Sequence, residues 1–572
     1  MTRARRGMLT TVIATFAVIL VACSGLPVRG EVRPGLALDE ADVLPDISQI
    51  ASDPMVGASA EEMVEGFLDA ALTPTNSWEI ARKFLSPEFA AIWKPSVNVT
   101  IDASAATREF ADDLPEDDDE SVEGQVRVTI DQIATLDSSG VYTEVAGDAA
   151  VAVFELARNE DGEWRITSAA NGIVLDADAF TQVYRRHALQ YFDQSWSHLI
   201  PDVRWFPRRA QIATTLTQEL LEGSPSAWLE PAVRSAYPSD VTLARDAVPI
   251  NAEKVATVEL TAPAQTLGST ELARMRTQLE ATLRSAGVLE VRLLVNGRDL
   301  EAGRTALAPT AVDTGPVVLT DDSFGGYVGD EITPYEGITA AVVELASSVV
   351  AVDVSDDGAR AAVQLDTRGV YTVADGRVDQ LDARPGLIAP SMDPYGYTWT
   401  VPASSPAALI AWRPDVTEAP IANAFPGTSS ISHLRVSSDG VRLVAVVTVG
   451  GQRWAAASAI LREADNTPIG LGPVQLIAQL DDVTDVLAVS WVGEDRLSVL
   501  TSMDGRRSVL TQDIGGPGAY AGAPSDAVML SGGAKTSAVR ILAADGVLFA
   551  QRGTTWQMGL VGVRVLGTHA GQ

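Results

Sequence analysis

The sequence predicts a multidomain protein with two N-terminal α+β domains followed by an all-β propeller of five or six blades. Between residues 58 and 302, helix-like and strand-like patterns alternate in two successive blocks. From residue 317 onward only short apolar runs remain, separated by polar turns at intervals typical of propeller blades. A chain of 572 residues is also too long for a single hydrophobic core. These three observations define the predicted order of domains.

Residues 1–22 form a predicted lipoprotein signal peptide. Three arginines precede Met8–Leu20, an apolar run too short for a membrane span. Leu20–Cys23 resembles a bacterial lipobox and contains the only cysteine of the chain. That resemblance implies cleavage before Cys23 and attachment of diacylglycerol to its thiol, with palmitate-like acyl chains anchoring the protein to the extracytoplasmic face of the cell membrane. The alternatives are an uncleaved anchor and an ordinary signal peptide with an accidental cysteine.

Composition limits the classes of partner. The 75 acidic residues outnumber the 42 lysines and arginines, which gives a formal net charge of −33. Such a surface repels phosphate backbones, so we expect no nucleic-acid partner. The single cysteine excludes a disulfide framework within the chain, and a hydrophobic content of 46% indicates globular domains stabilised by packing.

The first ordered domain is predicted over residues 58–178, after the lipidated cysteine and a proline-containing spacer over residues 23–57. An alternative is that part of this spacer packs on the body. Ser59 and Glu62 have the spacing of a helical capping box, and a second helix is predicted to begin at Asn76. Alternating strand patterns and a hairpin follow them. Two helices before an antiparallel meander resemble cone-shaped NTF2-like domains.

A second α+β domain is predicted over residues 179–302. One helix should end at Gly223 and another should begin near Ser269, before an alternating strand that leads into the turn Asn296–Gly297. The stretch Ser269–Leu300 resembles the GerMN module of exported bacterial proteins. No chemistry is known to accompany that module, so the resemblance implies a binding role.

Residues 303–316 form a predicted linker, and residues 317–572 form the predicted propeller. Its equivalent turn positions are spaced by 38, 44 and 54 residues, and a further hairpin turn is expected at Asp545–Gly546 in a last blade. The turn positions are Gly358, Gly396, Gly440 and Glu494. The alternative is a pair of β-sandwiches, which would share the alternation but not this turn spacing.

The sequence offers no convincing catalytic centre, and we expect neither an enzyme nor a cofactor or resident metal. None of the four histidines has metal-ligand spacing with another, and Cys23 is assigned to lipid. The glycine-rich stretches Gly516–Ala521 and Ser531–Ser537 match nucleotide-binding loops incompletely. The acidic run Asp112–Glu120 lacks the glycine of a calcium loop, which favours a solvated loop over a calcium site.

An arginine-rich segment with aromatic residues stands out in this acidic chain. Arginines beside aromatic rings are typical of interface hot spots, so this segment is a candidate partner interface. The alternative is a corner that joins two domains, with the arginines pairing with nearby acids. The candidate residues are Arg185, Arg186, Arg204, Trp205, Arg208 and Arg209.

Taken together, the lipobox, the GerMN-like stretch and the blade turns resemble the LpqB lipoprotein family of actinobacteria over nearly the whole chain. The resemblance implies an accessory partner of the extracytoplasmic domain of the sensor histidine kinase MtrB, which works with the response regulator MtrA. It further implies an influence on cell-wall homeostasis and cell division. The alternative is a cell-envelope binding or assembly scaffold without a kinase partner.

Overall fold

The structure is a computed structural model that describes residues 51–571 except 75–76, 114–121, 146, 148, 209–210, 311–314, 368 and 481–484. Residues Ala51–Gln572 form one compact unit. The predicted signal peptide, Cys23 and the spacer up to residue 50 lie outside the described residues, as does most of the acidic run Asp112–Glu120.

The N-terminal domain begins with the predicted capped helix. Ser59 and Glu62 form a reciprocal capping box, in which Ser59 Oγ accepts from the Glu62 amide and Glu62 Oε2 accepts from the Ser59 amide. The predicted start of the second helix, Asn76, lies outside the described residues; the helix begins at Glu79, after Trp78, whose backbone is left-handed with φ of 60°. The helices are α1 (Ala60–Ala70), α2 (Glu79–Arg82), α3 (Pro87–Ile92) and, at the end of the domain, α4 (Ala177–Val183).

A seven-stranded sheet packs against these helices. Its main path has the order β6-β5-β3-β1-β7, and β2 and β4 pair with the long third strand. All pairs are antiparallel except that of β1 with β7. The strands are β1 (Asn98–Asp102), β2 (Glu109–Asp112), β3 (Glu123–Asp137), β4 (Tyr142–Glu144), β5 (Ala149–Arg158), β6 (Trp164–Ser168) and β7 (Ile173–Asp176).

The second domain contains two three-stranded sheets and two helices. Its sheets have the orders β10-β8-β9 and β11-β12-β13. Its elements are β8 (Tyr184–Asp193), β9 (Leu199–Pro207), α5 (Ile212–Glu222), β10 (Val233–Arg234), β11 (Val255–Glu259), α6 (Ser269–Leu283), β12 (Glu290–Val295) and β13 (Arg298–Asp299).

The sequence predictions for this domain are largely confirmed. The first helix ends at Glu222 and is capped by Gly223, and the second begins at Ser269 and buries Leu272, Met275, Leu279 and Leu283. Asn296 and Gly297 both have positive φ, as a tight hairpin turn requires. The alternating residues Val241–Leu243 also predict a strand, and this prediction is wrong, since only one isolated bridge forms there, between Leu243 and Leu260.

The C-terminal region begins with β14 (Val317–Leu319), β15 (Phe324–Val328), β16 (Glu331–Pro334) and the short helix α7 (Thr339–Glu344). The strands that follow are β17 (Val349–Val354), β18 (Arg360–Leu365), β19 (Val370–Ala374), β20 (Arg377–Asp382), β21 (Ser391–Met392), β22 (Thr398–Thr400), β23 (Ile410–Trp412), β24 (Glu418–Pro420), β25 (Thr428–Val436), β26 (Arg442–Val449), β27 (Gln452–Arg462), β28 (Pro468–Leu471), β29 (Gln475–Gln479), β30 (Asp485–Val492), β31 (Arg496–Met503), β32 (Arg506–Asp513), β33 (Gly518–Gly522), β34 (Ala527–Ser531), β35 (Arg540–Ala543), β36 (Leu548–Arg552), β37 (Thr555–Met558) and β38 (Val565–His569).

These strands build six blades within the described residues. Blades 1 to 5 are β17–β20, β21–β24, β25–β28, β30–β33 and β34–β37, and β29 adds to blade 3. Blade 6 combines the C-terminal strand β38 with β14–β16 from the start of the region. The innermost strands contact one another in a closed ring, β17-β21-β25-β30-β34-β38. Six blades agree with the predicted five or six.

Aspartate and glycine form the turns between the first and second strands of several blades. Asp357, Asp393 and Asp439 each accept a hydrogen bond from the amide two residues ahead. Gly358 and Gly440 directly follow their aspartates, Gly396 lies three residues after Asp393, and all three have φ between 67° and 84°. In blade 4 the positive φ is at Gly493, next to Glu494. The predicted equivalence is therefore confirmed for the three glycines, and in blade 4 it is offset by one residue.

The ending of the propeller differs from the prediction. Asp545–Gly546 does form a hairpin turn, but it joins the second and third strands of blade 5 and not of the last blade. The C-terminal strand β38 completes the last blade by pairing with β14, which begins at residue 317. Pairing of the two ends of the ring replaces an exposed sheet edge with hydrogen bonds.

The second domain packs directly on blades 3 and 4. A single buried apolar cluster contains Trp228 and Leu229 from this domain together with Ala457, Ile477 and Leu510 from the propeller. An apolar interface of this kind favours a fixed arrangement over free hinge motion. Among the described residues, no helix is both long and apolar enough to cross a membrane.

Candidate functional site

The arginine-rich segment forms the β8–β9 hairpin between the N-terminal domain and the propeller. In its antiparallel register, Arg186 lies opposite Trp205 and His187 lies opposite Arg204. Arg208 follows the second strand directly. The hairpin therefore brings together residues that are about 20 positions apart in the sequence.

Two of the predicted interface residues are buried at the domain junction. Arg204 is 2% exposed and donates to Asp202 of its own strand and to Ser139 of the N-terminal domain, at 2.7 and 3.0 Å. Trp205 is 6% exposed, and its indole N–H donates to the Gly515 carbonyl of blade 4 at 2.9 Å. Side chains used in this way are not available to a partner.

Arg186 connects the same hairpin to the propeller by charge. Its guanidinium forms ion pairs with Asp495 and with Asp513, the second at 3.3 Å. Arg185 and Arg208 are exposed, whereas Arg209 lies outside the described residues. The alternative of a corner that joins two domains is thus correct for Arg186, Arg204 and Trp205. The exposed surface that this segment leaves for a partner centres on Arg185 and Arg208.

The glycine-rich loop after β32 accommodates the tryptophan. A Cβ atom on Gly516 would lie 3.0 Å from the Trp205 ring, and Gly515 has a φ of 83°. Gly516, which the sequence suggested as part of a loose dinucleotide pattern, therefore contributes to domain packing. In Ser531–Ser537, Gly533 and Ala534 instead line a cavity at the propeller mouth.

This mouth cavity, of about 290 Å³, is the main candidate functional site. It is bounded by the turns that leave the innermost strands, which is why residues far apart in sequence meet there. The side chains that give it chemical character are Asp356, Ser438, Trp491, Glu494, Asp495 and His569. Thr310 of the linker also lines the cavity and donates to Glu494 Oε1 at 2.8 Å.

The cavity carries negative charge. Burial, together with the negative charge of the neighbouring carboxylates Asp353, Asp357 and Asp393, raises the pKa of Asp356 to about 6. Asp495 is balanced by Arg186, while Glu494 accepts only a neutral hydroxyl among the contacts described above. The arrangement suits positively charged or hydrogen-bond-donating groups better than anions.

Three of the four histidines, His187, His433 and His569, supply little acid–base chemistry near neutral pH. Burial lowers the pKa of His187, His433 and His569 to about 4, with nearby arginines reinforcing the effect for the first two. His187 Nδ1 lies 2.9 Å from Ser285 Oγ, and His569 Nε2 lies 3.0 Å from Tyr335 OH. Both are consistent with neutral imidazoles held by packing.

Metal-ligand clusters are not found in the part of the chain that the structure describes. No group of three or more His, Cys, Asp or Glu residues there has the geometry to hold a metal ion. Sequence reasoning identified the mouth turns as structural repeats but did not identify their side chains as a site. The available signal was positional, because Asp356, Ser438 and Glu494 each lie at or within two residues of a predicted turn position.

Three family models match consecutive parts of this chain. "Lipoprotein LpqB, N-terminal domain" matches residues 53–181. "Sporulation and spore germination" (Germane) matches residues 189–301. "Lipoprotein LpqB beta-propeller domain" matches residues 322–564. The LpqB models thus lie on both sides of the GerMN-type domain.

Relatives from actinobacteria match across the domains. "Lipoprotein LpqB" of Streptomyces coelicolor is 26% identical over 87% of this chain and 86% of its own length. "Lipoprotein LpqB" of Bifidobacterium longum is 26% identical over 79% of this chain and 78% of its own. The solved first GerMN domain of the sporulation protein GerM from Bacillus subtilis is 19% identical and covers 22% of this chain and 94% of that chain, with a TM-score of 0.18. The matched domains and their order establish that this chain belongs to the LpqB lipoprotein family.

Proposed function

We propose that this protein is a lipid-anchored accessory protein that binds the extracytoplasmic domain of an MtrB-like sensor histidine kinase. Through that contact it modulates a two-component system that affects cell-wall homeostasis and cell division. Membership of the LpqB family over nearly the whole chain is the observation that carries this proposal. The kinase partner follows from the family resemblance drawn from the sequence.

The proposed anchor is a diacylglyceryl group on Cys23, on the extracytoplasmic face of the cell membrane. Two acyl chains give stable attachment, whereas one chain binds only reversibly. Attachment to the same membrane raises the effective concentration of the protein next to a membrane kinase. A modest interface is then sufficient to shift the kinase between two signalling states.

The contact surface proposed for the kinase is the exposed part of the β8–β9 hairpin and its surroundings. Arg185 is exposed on the first strand, and Arg208 is exposed after the second. Arginine is favoured at protein interfaces, so these two exposed side chains are the positions in the segment best suited to a partner. Because the hairpin also contacts blade 4 through Arg186, a partner bound here would be next to the mouth cavity.

The test is crosslinking in living cells, followed by capture of the protein from solubilised membranes and mass spectrometry. The unaltered chain should enrich one sensor kinase, and Cys23→Ala should abolish that enrichment. The double change Arg185→Glu and Arg208→Glu should reduce it severalfold, since it reverses both exposed charges. Arg377→Glu is the matched control, because Arg377 is exposed on blade 1 and distant in sequence from the hairpin.

Capture of cell-wall or assembly proteins without a kinase would reject the accessory function and favour the envelope scaffold. Kinase enrichment that persists equally in the double arginine variant would keep the function but reject the hairpin as its surface. Crosslinked peptides would then identify the true contact.

A further inference from the structure

The N-terminal domain contains a second cavity, of about 170 Å³, between α1 and the inner face of its sheet. Its floor consists of buried apolar side chains from four elements. Phe67 and Phe154 are each 4% exposed and meet edge to face, with ring centroids 6.0 Å apart. Ile130 and Ile173 are each 3% exposed. This floor offers dispersion contacts to a flat apolar group.

The lining is electrically neutral. None of the 16 residues around this cavity is charged, although 20% of the residues of the chain are. The contrast with the mouth cavity is direct, since Asp356, Glu494 and Asp495 line that one. An ion entering the neutral cavity would lose its hydration without gaining a counter-charge, which is strongly unfavourable.

Neutral hydrogen-bonding groups accompany the apolar floor. Asn98, Thr100, Gln132 and Asn171 all line the cavity. Asn171 Oδ1 accepts from the Lys94 amide at 2.9 Å, which orients its carboxamide. Asn98 Nδ2 donates to Thr100 Oγ1 at 3.4 Å. A carboxamide has two donors and an acceptor with two lone pairs, so Asn98, Gln132 and Asn171 retain capacity for a ligand hydroxyl or amide.

We propose that this cavity is a binding site for an uncharged small molecule that has one six-membered ring and a hydrogen-bonding group. Apolar cavities of about 150 Å³ hold a single benzene ring, so the observed volume selects a ligand of that size. The exposed rim at Val151, which is 56% exposed, provides a route from solvent. The neutral lining discriminates against the same ring carrying an acid or an amine.

The test compares benzyl alcohol, benzoate and benzylamine, which share a ring and differ in charge. Binding is measured by ligand-observed saturation-transfer NMR on residues 24–572, which contain the whole compact unit. Benzyl alcohol should bind, and the two ions should bind at least tenfold more weakly. Equal binding of all three, or no binding of benzyl alcohol, would overturn the proposal.

Variants locate the site. Ala152→Phe places a ring in the cavity and should abolish binding, because Ala152 is part of its lining. Gln132→Glu adds one charge with almost no change in shape and should weaken benzyl alcohol binding at least fivefold. Gln125→Glu is the matched control, since Gln125 lies on the same strand, is also half-buried and does not line the cavity.

Unchanged binding in Gln132→Glu, or an equal loss in Gln125→Glu, would show that the ligand binds elsewhere. The thermal unfolding midpoint of each variant should stay close to that of the parent chain. If Ala152→Phe does not fold, the pair of glutamine variants still decides the question.

Discussion

Trp205 should hold the N-terminal domain, the second domain and the propeller together. Its ring lies 4.9 Å from the Phe180 ring, and its backbone amide donates to the Gly140 carbonyl at 2.8 Å. On the propeller side its indole N–H donates to Gly515. Trp205→Ala removes all ring contacts, at a cost of about 3–5 kcal/mol for a buried aromatic side chain. Trp205→Phe keeps most of the ring packing but leaves the Gly515 carbonyl without its donor, at about 1–3 kcal/mol.

Because Trp205 lies at the junction of the domains, local opening of that junction is the most direct measurement of its role. We expect native-state hydrogen exchange of residues 199–207 to accelerate by about 10²–10³-fold or more in Trp205→Ala, since each 1.4 kcal/mol corresponds to about tenfold. Trp205→Phe should accelerate the exchange of the same residues by about 5–150-fold, by the same conversion. Trp556→Phe is the control, because that indole donates to the Gly522 carbonyl at an exposed position. Unchanged protection in Trp205→Ala would refute the assigned role.

Two further predictions concern pH and blade packing. Burial against the propeller raises the pKa of Glu144 to about 7, while the Gln479 amide opposes this. Between about pH 4.5 and 7 the Glu144 carboxyl keeps its proton in the folded state but loses it in the unfolded state. Because only the unfolded state gains by ionising there, the free energy of unfolding should fall as pH rises through this range. Glu144→Gln should flatten that part of the profile of unfolding midpoint against pH, and an unaltered slope would exclude Glu144. A Cβ on Gly532 would lie 1.8 Å from the Trp491 carbonyl oxygen, so Gly532→Ala should destabilise the propeller by about 1–3 kcal/mol in chemical denaturation. Gly522→Ala should have little effect, because nothing lies within 4 Å of its added Cβ, and equal effects would contradict the packing argument.

Local patterns determined the elements that depend on neighbouring residues. The capping box at Ser59 and Glu62 predicted the start of α1, because both partners lie within one helical turn. The left-handed turn at Asn296–Gly297 and the blade turn at Gly440 were equally local. The helix predicted near Asn76 begins at Glu79, after the left-handed backbone of Trp78, which no nearby signal indicates.

The sequence by itself therefore determined the order of the domains and the propeller class, since these depend on periodicity and turn chemistry, and it contained the motifs by which the chain resembles the LpqB family. Only the tertiary structure decided that Arg186 pairs with Asp495 and Trp205 bonds to Gly515, across 309 and 310 positions. It also decided the sixth blade, in which β38 pairs with a strand about 250 residues earlier. Contacts over such distances form only when the packed domains bring their surfaces together. A local sequence pattern does not specify which arginine will pair with which carboxylate on another domain.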